Sequence, residues 1–138
     1  VCPEVEAGMG TPREPIDLVA SGDGVPSGSA PVRLLGVTTR TDWTEAMSRF
    51  SAVRVSELRH ANLDGYVLKA DSPSCGLERV RVHRRDGVSR DGRGVFAQAL
   101  VSVFPDLPIG EEGSLQDAVV RERFIGRVFE RWRLRTRR

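Results

Sequence analysis

The chain has 138 residues, of which 39% are hydrophobic and 29% charged, and its formal net charge at pH 7 is +2. This balance is typical of a soluble globular protein of about one domain, and no apolar run approaches the roughly 20 residues that span a membrane. Because the net charge is small, the composition favours neither a membrane nor a nucleic-acid partner.

The first 16 residues begin with VCPE, and Gly8, Gly10, Pro12 and Pro15 follow that motif. They predict a loop or linker after a very short strand end. No charged region followed by an apolar stretch opens the chain, so no signal peptide is recognisable and we expect a cytoplasmic protein. The chain does not begin with Met, and its first motif starts at residue 1, which indicates an N-terminal truncation. Residues 21–31 are rich in Gly, Ser and Pro and predict a flexible surface segment.

The middle of the chain alternates predicted strands and helices. Residues 32–37 form a short apolar run of strand length. Asp42, with Glu45 three residues later, predicts the start of a helix that ends near residues 60–62. Residues 66–70 then predict a buried strand, and residues 79–84 alternate polar and apolar side chains as a strand does.

The last third predicts two helices. Turn signals at residues 86–87 and 91–92 flank a predicted Gly-rich loop, and residues 95–104 favour a buried helix because Ala, Gln and Leu are good helix formers. Residues 117–135 place apolar side chains on one helical face. Those side chains are Val120, Phe124, Val128 and Trp132.

These elements predict an α/β fold, with a small mostly parallel sheet flanked by helices and a C-terminal helical extension. We expect one domain over residues 1–108 and a connector with the start of a second helical domain over residues 109–138. The apolar face of the last helix needs a cover, either that second domain or another copy of the chain.

The sequence contains two cysteines, Cys2 and Cys75. Neither lies in an apolar run: a proline and a carboxylate follow Cys2, and Cys75 ends a Ser-Pro-Ser turn just after a predicted strand. Such polar surroundings suit a metal-bound or reactive thiolate. From the residues alone the alternative is a pair of unpaired structural thiols, and a disulfide is not expected in the cytoplasm.

Two motifs together resemble a known family. The run LDGYVLKADSPSCG, with the opening VCPEV and the TPR segment after it, resembles the bacterial domain-of-unknown-function family 523, which includes 2-thiouracil desulfurase. The later segments DGRGVFAQAL and FPDLPIGEEGSLQDAVVRERFIGRVFERWR are similar to the family's long variants. In these variants a YbgA-like second domain, the domain of unknown function 1722, follows the first.

The resemblance implies a cofactor and an activity. Desulfurases of this family hold a [4Fe-4S] cluster on three cysteines, and the remaining iron takes the sulfur of the substrate. Cys2 matches the middle ligand and Cys75 the last, whereas the first ligand, in a Ser-Ala-Cys-Leu-like strand, has no match here. The implied function is removal of sulfur from a thiolated nucleobase such as 2-thiouracil, or from a similar small thio-heterocycle.

Four more residues are candidates for this chemistry. Glu4 is the predicted general base or proton shuttle, and Ser72 the predicted proton relay. Ser74 and Arg13 are expected to bind the substrate. Arg13 would donate hydrogen bonds to an anionic or carbonyl edge of the substrate. Each residue also has a structural alternative. Glu4 would be a solvated carboxylate, the serines would be turn residues, and Arg13 would form a salt bridge.

A second class of function stays open at this point. Five of the last eight residues are arginines, and they would let a non-catalytic binding module or an inactive fragment contact nucleic acid. The ordinary alternative for this tail is a solvated helix end. His60 and His83 have no partner at metal-ligand spacing, so they receive no role.

Overall fold

A computed structural model of the chain describes residues 1–20 and 31–137. The segment predicted to be flexible, residues 21–31, lies outside these ranges except for its last residue. The strands are β1 (Ile16–Ala20), β2 (Val32–Gly36), β3 (Tyr66–Leu68), β4 (Val80–Arg84), β5 (Gly87–Gly92) and β6 (Ile109–Glu111). The helices are α1 (Thr44–Leu58), α2 (Val95–Val103) and α3 (Ala118–Thr136), with short helical turns at Val5–Met9 and Ser114–Gln116.

The strands form a four-stranded sheet of order β2-β1-β4-β5 and a two-stranded sheet of β3 and β6. The predicted α/β class, with flanking helices and a C-terminal helix, is confirmed. The pairing within the larger sheet differs from the expected mostly parallel one. Its β1 pairs antiparallel with β2 and parallel with β4, and β4 pairs antiparallel with β5. A two-residue turn at Arg85 and Asp86 imposes this last pairing, because only antiparallel strands can be joined so closely.

Most predicted elements occur within a few residues of their expected places. Helix α1 starts at Thr44, whose N–H donates to the Asp42 carboxylate at 3.0 Å. The prediction of a Gly-rich loop between residues 86–87 and 91–92 is wrong, because this stretch is strand β5. Its backbone pairs with β4, and this pairing outweighs the glycines at its ends. Strands β1 and β6 were missed within segments that prolines and glycines interrupt.

The core has two adjoining parts. One lies between the larger sheet and α1, with Leu18, Leu34 and Met47 at its centre. The other lies between α1, α2 and β3, with Phe96 fully buried against Val55 and Leu68. Helix α2 supplies three buried residues to this second part, and Cys75 and Leu77 pack against it.

Helix α3 begins with a cap, as Asp117 accepts hydrogen bonds from the N–H groups of Val119 and Val120 at 2.8 and 3.0 Å. Two of the terminal arginines bind it to the connection between α1 and β3. Arg131 donates to the Leu63 carbonyl at 3.1 Å, and Arg135 donates to both oxygens of Asp64 at 3.0 and 2.7 Å. These contacts occupy part of the arginine cluster that the sequence offered as a nucleic-acid tail.

The predicted apolar face of α3 is only partly packed. Phe124 and Val128 are half-buried and lie over Gly65, while Val120 and Trp132 are 40% and 46% exposed. The boundary between residues 108 and 109 stays a prediction. Among the described residues, no helix is both long and apolar enough to cross a membrane.

Candidate functional site

Cys75 lies on a tight loop, residues 71–77, that follows β3 and leads toward β4. The Ser72 hydroxyl accepts the N–H groups of Ser74 at 3.3 Å and Cys75 at 3.1 Å. The Gly76 N–H donates to the Ser72 carbonyl at 2.7 Å. These bonds are those of a serine turn, in which a hydroxyl replaces a backbone acceptor. The loop therefore holds Cys75 in a fixed place rather than at a free tip.

The start of α2 supports this loop from behind. The Phe96 N–H donates to the Ser74 carbonyl at 2.9 Å, and the Gly94 N–H donates to the Gly76 carbonyl at 2.7 Å. Gly94 has no room for a side chain: a Cβ there would lie 2.6 Å from the Cys75 nitrogen and closer still to the Ser74 carbonyl. Both obstacles are backbone atoms, so a side chain could fit only if the loop moved.

We therefore expect Gly94→Ala to destabilise the protein by about 3 kcal/mol and to displace Cys75. The backbone at Gly94, with φ −62° and ψ 147°, suits alanine, so the cost is steric. Urea unfolding measures it. Gly126→Ala in α3 is the matched control, because nothing lies within 4 Å of its Cβ position, and it should stabilise the helix by roughly 0.5–1 kcal/mol. Equal stability of the Gly94 variant and the parent would contradict the close packing.

The other half of the site comes from the N-terminal segment. Cys2 opens the helical turn, with its carbonyl accepting the Glu6 N–H at 3.0 Å and its own N–H donating to the Glu6 carboxylate at 3.2 Å. Glu6 also forms an ion pair with Arg54 of α1. The guanidinium of Arg54 lies 5.8 Å from the centre of the Phe50 ring. Helix α1 thus fixes the segment that carries Cys2 and Glu4.

Glu4 joins the two halves. Its Oε1 accepts the Ser74 hydroxyl at 2.7 Å, and its Oε2 accepts Nε of Arg13 at 2.6 Å. The Ser72 hydroxyl lies farther away, 3.5 Å from the same Oε1 and 2.9 Å from the Ser74 hydroxyl. Ser74 is fully buried, and 17% of the Glu4 side chain is exposed. The carboxylate thus ends a short row of hydroxyls that can pass a proton.

The two thiols border this network. The Cys2 sulfur lies 3.8 Å from an Arg13 guanidinium nitrogen, and the Cys75 sulfur lies 3.8 Å from the Ser74 hydroxyl. Both cysteines are free. Burial raises the pKa of the Cys75 thiol, the hydrogen bond from Ser74 lowers it, and the nearby charges of Glu4 and Cys2 raise it again. Contacts through Arg13, Glu4 and Ser74 join the two cysteines in one site, although they are far apart in sequence.

The donor set fits part of an iron-sulfur centre. Cysteine thiolates are the ordinary protein ligands of such clusters, and Cys2 and Cys75 lie together beside a polar network. Within the part of the chain that the structure describes, no group of three or more Cys, His, Asp or Glu side chains is arranged to hold a metal ion. The described residues therefore offer two neighbouring thiols but not a complete cluster site.

A cavity of about 550 Å³ opens beside Cys75. Its walls are mostly apolar, and Lys69 and Glu112 form an ion pair of 2.6 Å at one side. Burial, followed by the nearby charge of Cys75, raises the pKa of Tyr66, whose ring lies 6.2 Å from that of Phe96. The lining residues include Val1, Pro3, Tyr66, Leu68, Cys75 and Phe96. The sequence did not identify Tyr66 and Phe96 as neighbours of the site. Tyr66 lies on the strand just before the Cys75 loop, which was an available signal, whereas two strands separate Phe96 from that loop in the chain.

The structure brings the six predicted site residues together. They are Cys2, Glu4, Arg13, Ser72, Ser74 and Cys75. In this arrangement Ser74 is closer to Glu4 than Ser72 is, and Arg13 contacts Glu4 directly. His83 lies outside the site, with its Nε2 3.3 Å from the Asp17 carboxylate between β4 and β1.

Comparisons with known proteins find two similar chains. A solved structure of TudS, a [4Fe-4S]-dependent thiouracil desulfidase, matches with a TM-score of 0.59 and 27% identity, over 83% of this chain and 67% of that one. The uncharacterised protein YbbK of Bacillus subtilis (strain 168) is 31% identical over 100 residues. That alignment covers 72% of this chain and 64% of YbbK, so the chain spans about two thirds of either relative.

The family comparison covers most of the sequence. Residues 1–112 match the family model described as 2-thiouracil desulfurase. This range contains both cysteine motifs, Glu4, Arg13 and the Cys75 loop. The chain therefore belongs to the 2-thiouracil desulfurase family.

Proposed function

We propose that this chain is the cluster-binding part of an iron-sulfur-dependent desulfurase that acts on 2-thiouracil or a similar small thio-heterocycle. The observation that carries the proposal is the meeting of Cys2 and Cys75 around the Glu4–Ser74 hydrogen bond of 2.7 Å. Family membership and the similarity to TudS, itself [4Fe-4S]-dependent, support it.

Cys2 and Cys75 would hold the cluster together with a third thiolate from outside the 138 residues. The edge of β3 offers a place for it. Strand β3 pairs with β6 on one side, and among the described strands none pairs with the other side. The cavity beside Cys75 follows residues 66–69 of this strand and reaches Val1 and Pro3. An extended segment carrying a cysteine would fit along it and add a strand to the smaller sheet.

The reaction replaces sulfur by oxygen. Water adds to the C=S carbon, the carbon–sulfur bond breaks, and the products are the oxo-heterocycle and hydrogen sulfide. When bound, the cluster supplies a Lewis-acidic iron that favours departure of the sulfur. Glu4 takes a proton from the attacking water, and Ser74 and Ser72 relay protons between that carboxylate and the leaving sulfur or ring nitrogen.

Arg13 and Ser74 have a double task in this proposal. Arg13 fixes the Glu4 carboxylate through Nε, while its remaining N–H groups are available to a carbonyl edge of the substrate. Ser74 shares its hydroxyl between Glu4 and the substrate. Both residues therefore position the general base and bind the heterocycle.

The proposal extends to the protein as a whole. We infer a cytoplasmic enzyme in which a YbgA-like domain, or a second copy of the chain, covers α3. The exposure of Ile125, Phe129 and Trp132, which is 43%, 55% and 46%, supports such a cover. These three residues lie side by side on the helix, next to the face that packs on Gly65.

The test is turnover of 2-thiouracil by the full-length protein after anaerobic cluster reconstitution. We expect uracil and sulfide in equal amounts, measured by chromatography and a colorimetric sulfide assay. A protein with a complete cluster that releases neither product from 2-thiouracil or 4-thiouracil would exclude the proposed activity. A protein that takes up no cluster would instead refute the assignment of the ligands.

A further inference from the structure

A second, separate cavity lies against the hairpin formed by β4 and β5. Its volume is about 660 Å³, and it shares no lining residue with the cavity beside Cys75. Four arginines line it, against two carboxylates, Glu78 and Asp91. The arginines are Arg79, Arg84, Arg90 and Arg93. The lining thus carries an excess of two positive charges, and we refer to this space as the arginine cavity.

Two of the four guanidinium groups are neutralised by carboxylates. Arg84 donates to both oxygens of Asp91 at 3.1 and 3.0 Å, and Arg90 lies 3.3 Å from Asp71. The pKa of the Asp91 carboxyl is lowered by the Ser89 hydroxyl and then by Arg84, so this pair stays charged. Arg84 and Arg90 therefore line the cavity with their charges already paired.

The other two guanidinium groups are available to a ligand. Arg93 donates to the Leu77 carbonyl at 2.8 Å and to the Gln98 side chain at 3.3 Å, both uncharged, and keeps three of its five N–H groups. Arg79 makes no ion pair with any residue that the structure describes. Paired guanidinium groups that face a concave space form the usual site for a phosphate group, which they bind through several parallel N–H bonds.

A crevice between α1 and α2 adjoins the arginine cavity. Its volume is about 370 Å³, and both spaces are lined by Val32, Arg93 and Gln98. Its lining includes the apolar side chains of Leu18 and Val95 and three residues with hydroxyl groups. The hydroxyl residues are Thr44, Ser48 and Ser51.

Ser51 places a buried hydroxyl in the lining of this crevice. The residue is 1% exposed, and its hydroxyl has no hydrogen-bond partner among the residues that the structure describes. A buried hydroxyl without a partner is costly, and the cost disappears when a ligand supplies an acceptor or donor. An alkyl chain in the crevice would leave the hydroxyl unsatisfied, whereas a heteroaromatic ring would satisfy it.

We propose that the crevice and the arginine cavity together bind a small phosphate monoester of a heteroaromatic ring compound, such as a nucleoside monophosphate. The ring lies between α1 and α2 with its polar edge on Ser51, and the phosphate contacts Arg79 and Arg93. The two guanidinium groups face the two charges of a phosphate monoester, and the exposed Glu78 carboxylate in the same lining reduces the net positive charge there to one. A volume of about 370 Å³ lies within the ordinary range of small-molecule sites.

Isothermal titration calorimetry of the 138-residue chain with uridine 5′-monophosphate and adenosine 5′-monophosphate tests this site without any cluster. We expect saturable one-to-one binding of at least one of them, with Kd below about 1 mM. Arg79→Glu and Ser51→Ala should each weaken binding at least tenfold. Arg81→Glu makes the same charge change on the adjacent strand, where Arg81 is exposed and does not line the cavity, and should leave Kd unchanged.

Inorganic phosphate tests the arginine cavity alone, and the free nucleosides test the crevice alone. Each should bind at least tenfold more weakly than the nucleotide. Phosphate that bound as tightly as the nucleotides would show an anion site alone and would overturn the assignment of the crevice. Absence of saturable binding of both nucleotides, or an equal loss in Arg81→Glu, would overturn the proposal. Because the chain is tested without iron, these outcomes are independent of desulfurase activity.

Discussion

Replacing Cys75 with serine in the full-length protein should abolish cluster binding and, with it, desulfuration of 2-thiouracil. The Cys75 sulfur lies at the edge of the Glu4 network on a loop fixed by three local hydrogen bonds, and a serine hydroxyl is a poor ligand for iron in a cluster. We expect iron per chain to fall at least tenfold and the visible absorbance of the cluster to disappear. Iron and acid-labile sulfide assays measure the loss.

Asp71→Asn is the control within the same loop. Asp71 is exposed and has φ 55°, a left-handed conformation that asparagine adopts readily. The variant removes one surface ion pair with Arg90 and no thiolate, so it should keep its iron and its activity. Parental iron content in Cys75→Ser would show that Cys75 is not a ligand.

Replacing Glu4 with glutamine should separate cluster binding from catalysis. Glutamine keeps an oxygen that can accept the Ser74 hydroxyl, so the loop stays in place, but it cannot take a proton from water. We expect kcat to fall by about 10²–10⁴-fold, the usual contribution of a general base, while iron content and the visible spectrum stay unchanged. Steady-state kinetics with 2-thiouracil, alongside the spectrum, gives both quantities.

Glu4→Ala and Glu6→Gln complete that experiment. Alanine leaves the buried Ser74 hydroxyl and Arg13 without their shared partner, so Glu4→Ala should lose turnover and also some stability. Glu6 binds the Cys2 N–H and Arg54 but makes no contact with the serines, and its amide variant should keep most of its activity. Turnover near the parental level in Glu4→Gln would refute the role of Glu4 as general base.

The sequence predicted those elements in which the order of polar and apolar side chains matches their exposure and burial in the fold. Strand β4 shows strict alternation, and α2 is a compact apolar run of helix formers, so both appear close to their predicted places. Strand β5 has glycines at both ends and gains its order from pairing with β4, a contact that no local pattern reveals. The orientation of β1 and β2 likewise depends on tertiary pairing rather than on local sequence.

The site, too, was predicted only in part from the sequence. The motifs CPE and SPSCG indicated which residues matter, but their contact across about 70 residues of chain is visible only in the structure. The row from Arg13 through Glu4 to Ser74 could not be predicted, since hydrogen-bond geometry decides which serine faces the carboxylate. The arginine cavity was missed altogether: its four arginines lie close together in the sequence, within residues 79–93, but only the folded hairpin shows that they line one concave space.

The proposed desulfurase is tested most directly by anaerobic quantification of iron and acid-labile sulfide, with the visible spectrum, on this chain and on one extended upstream to include a third cysteine. We expect about four irons per extended chain and few in the 138-residue chain, because three thiolates are needed to hold a [4Fe-4S] cluster with one open iron. Absence of iron from both chains after reconstitution would contradict the assignment of Cys2 and Cys75 as cluster ligands, and with it the proposed desulfurase.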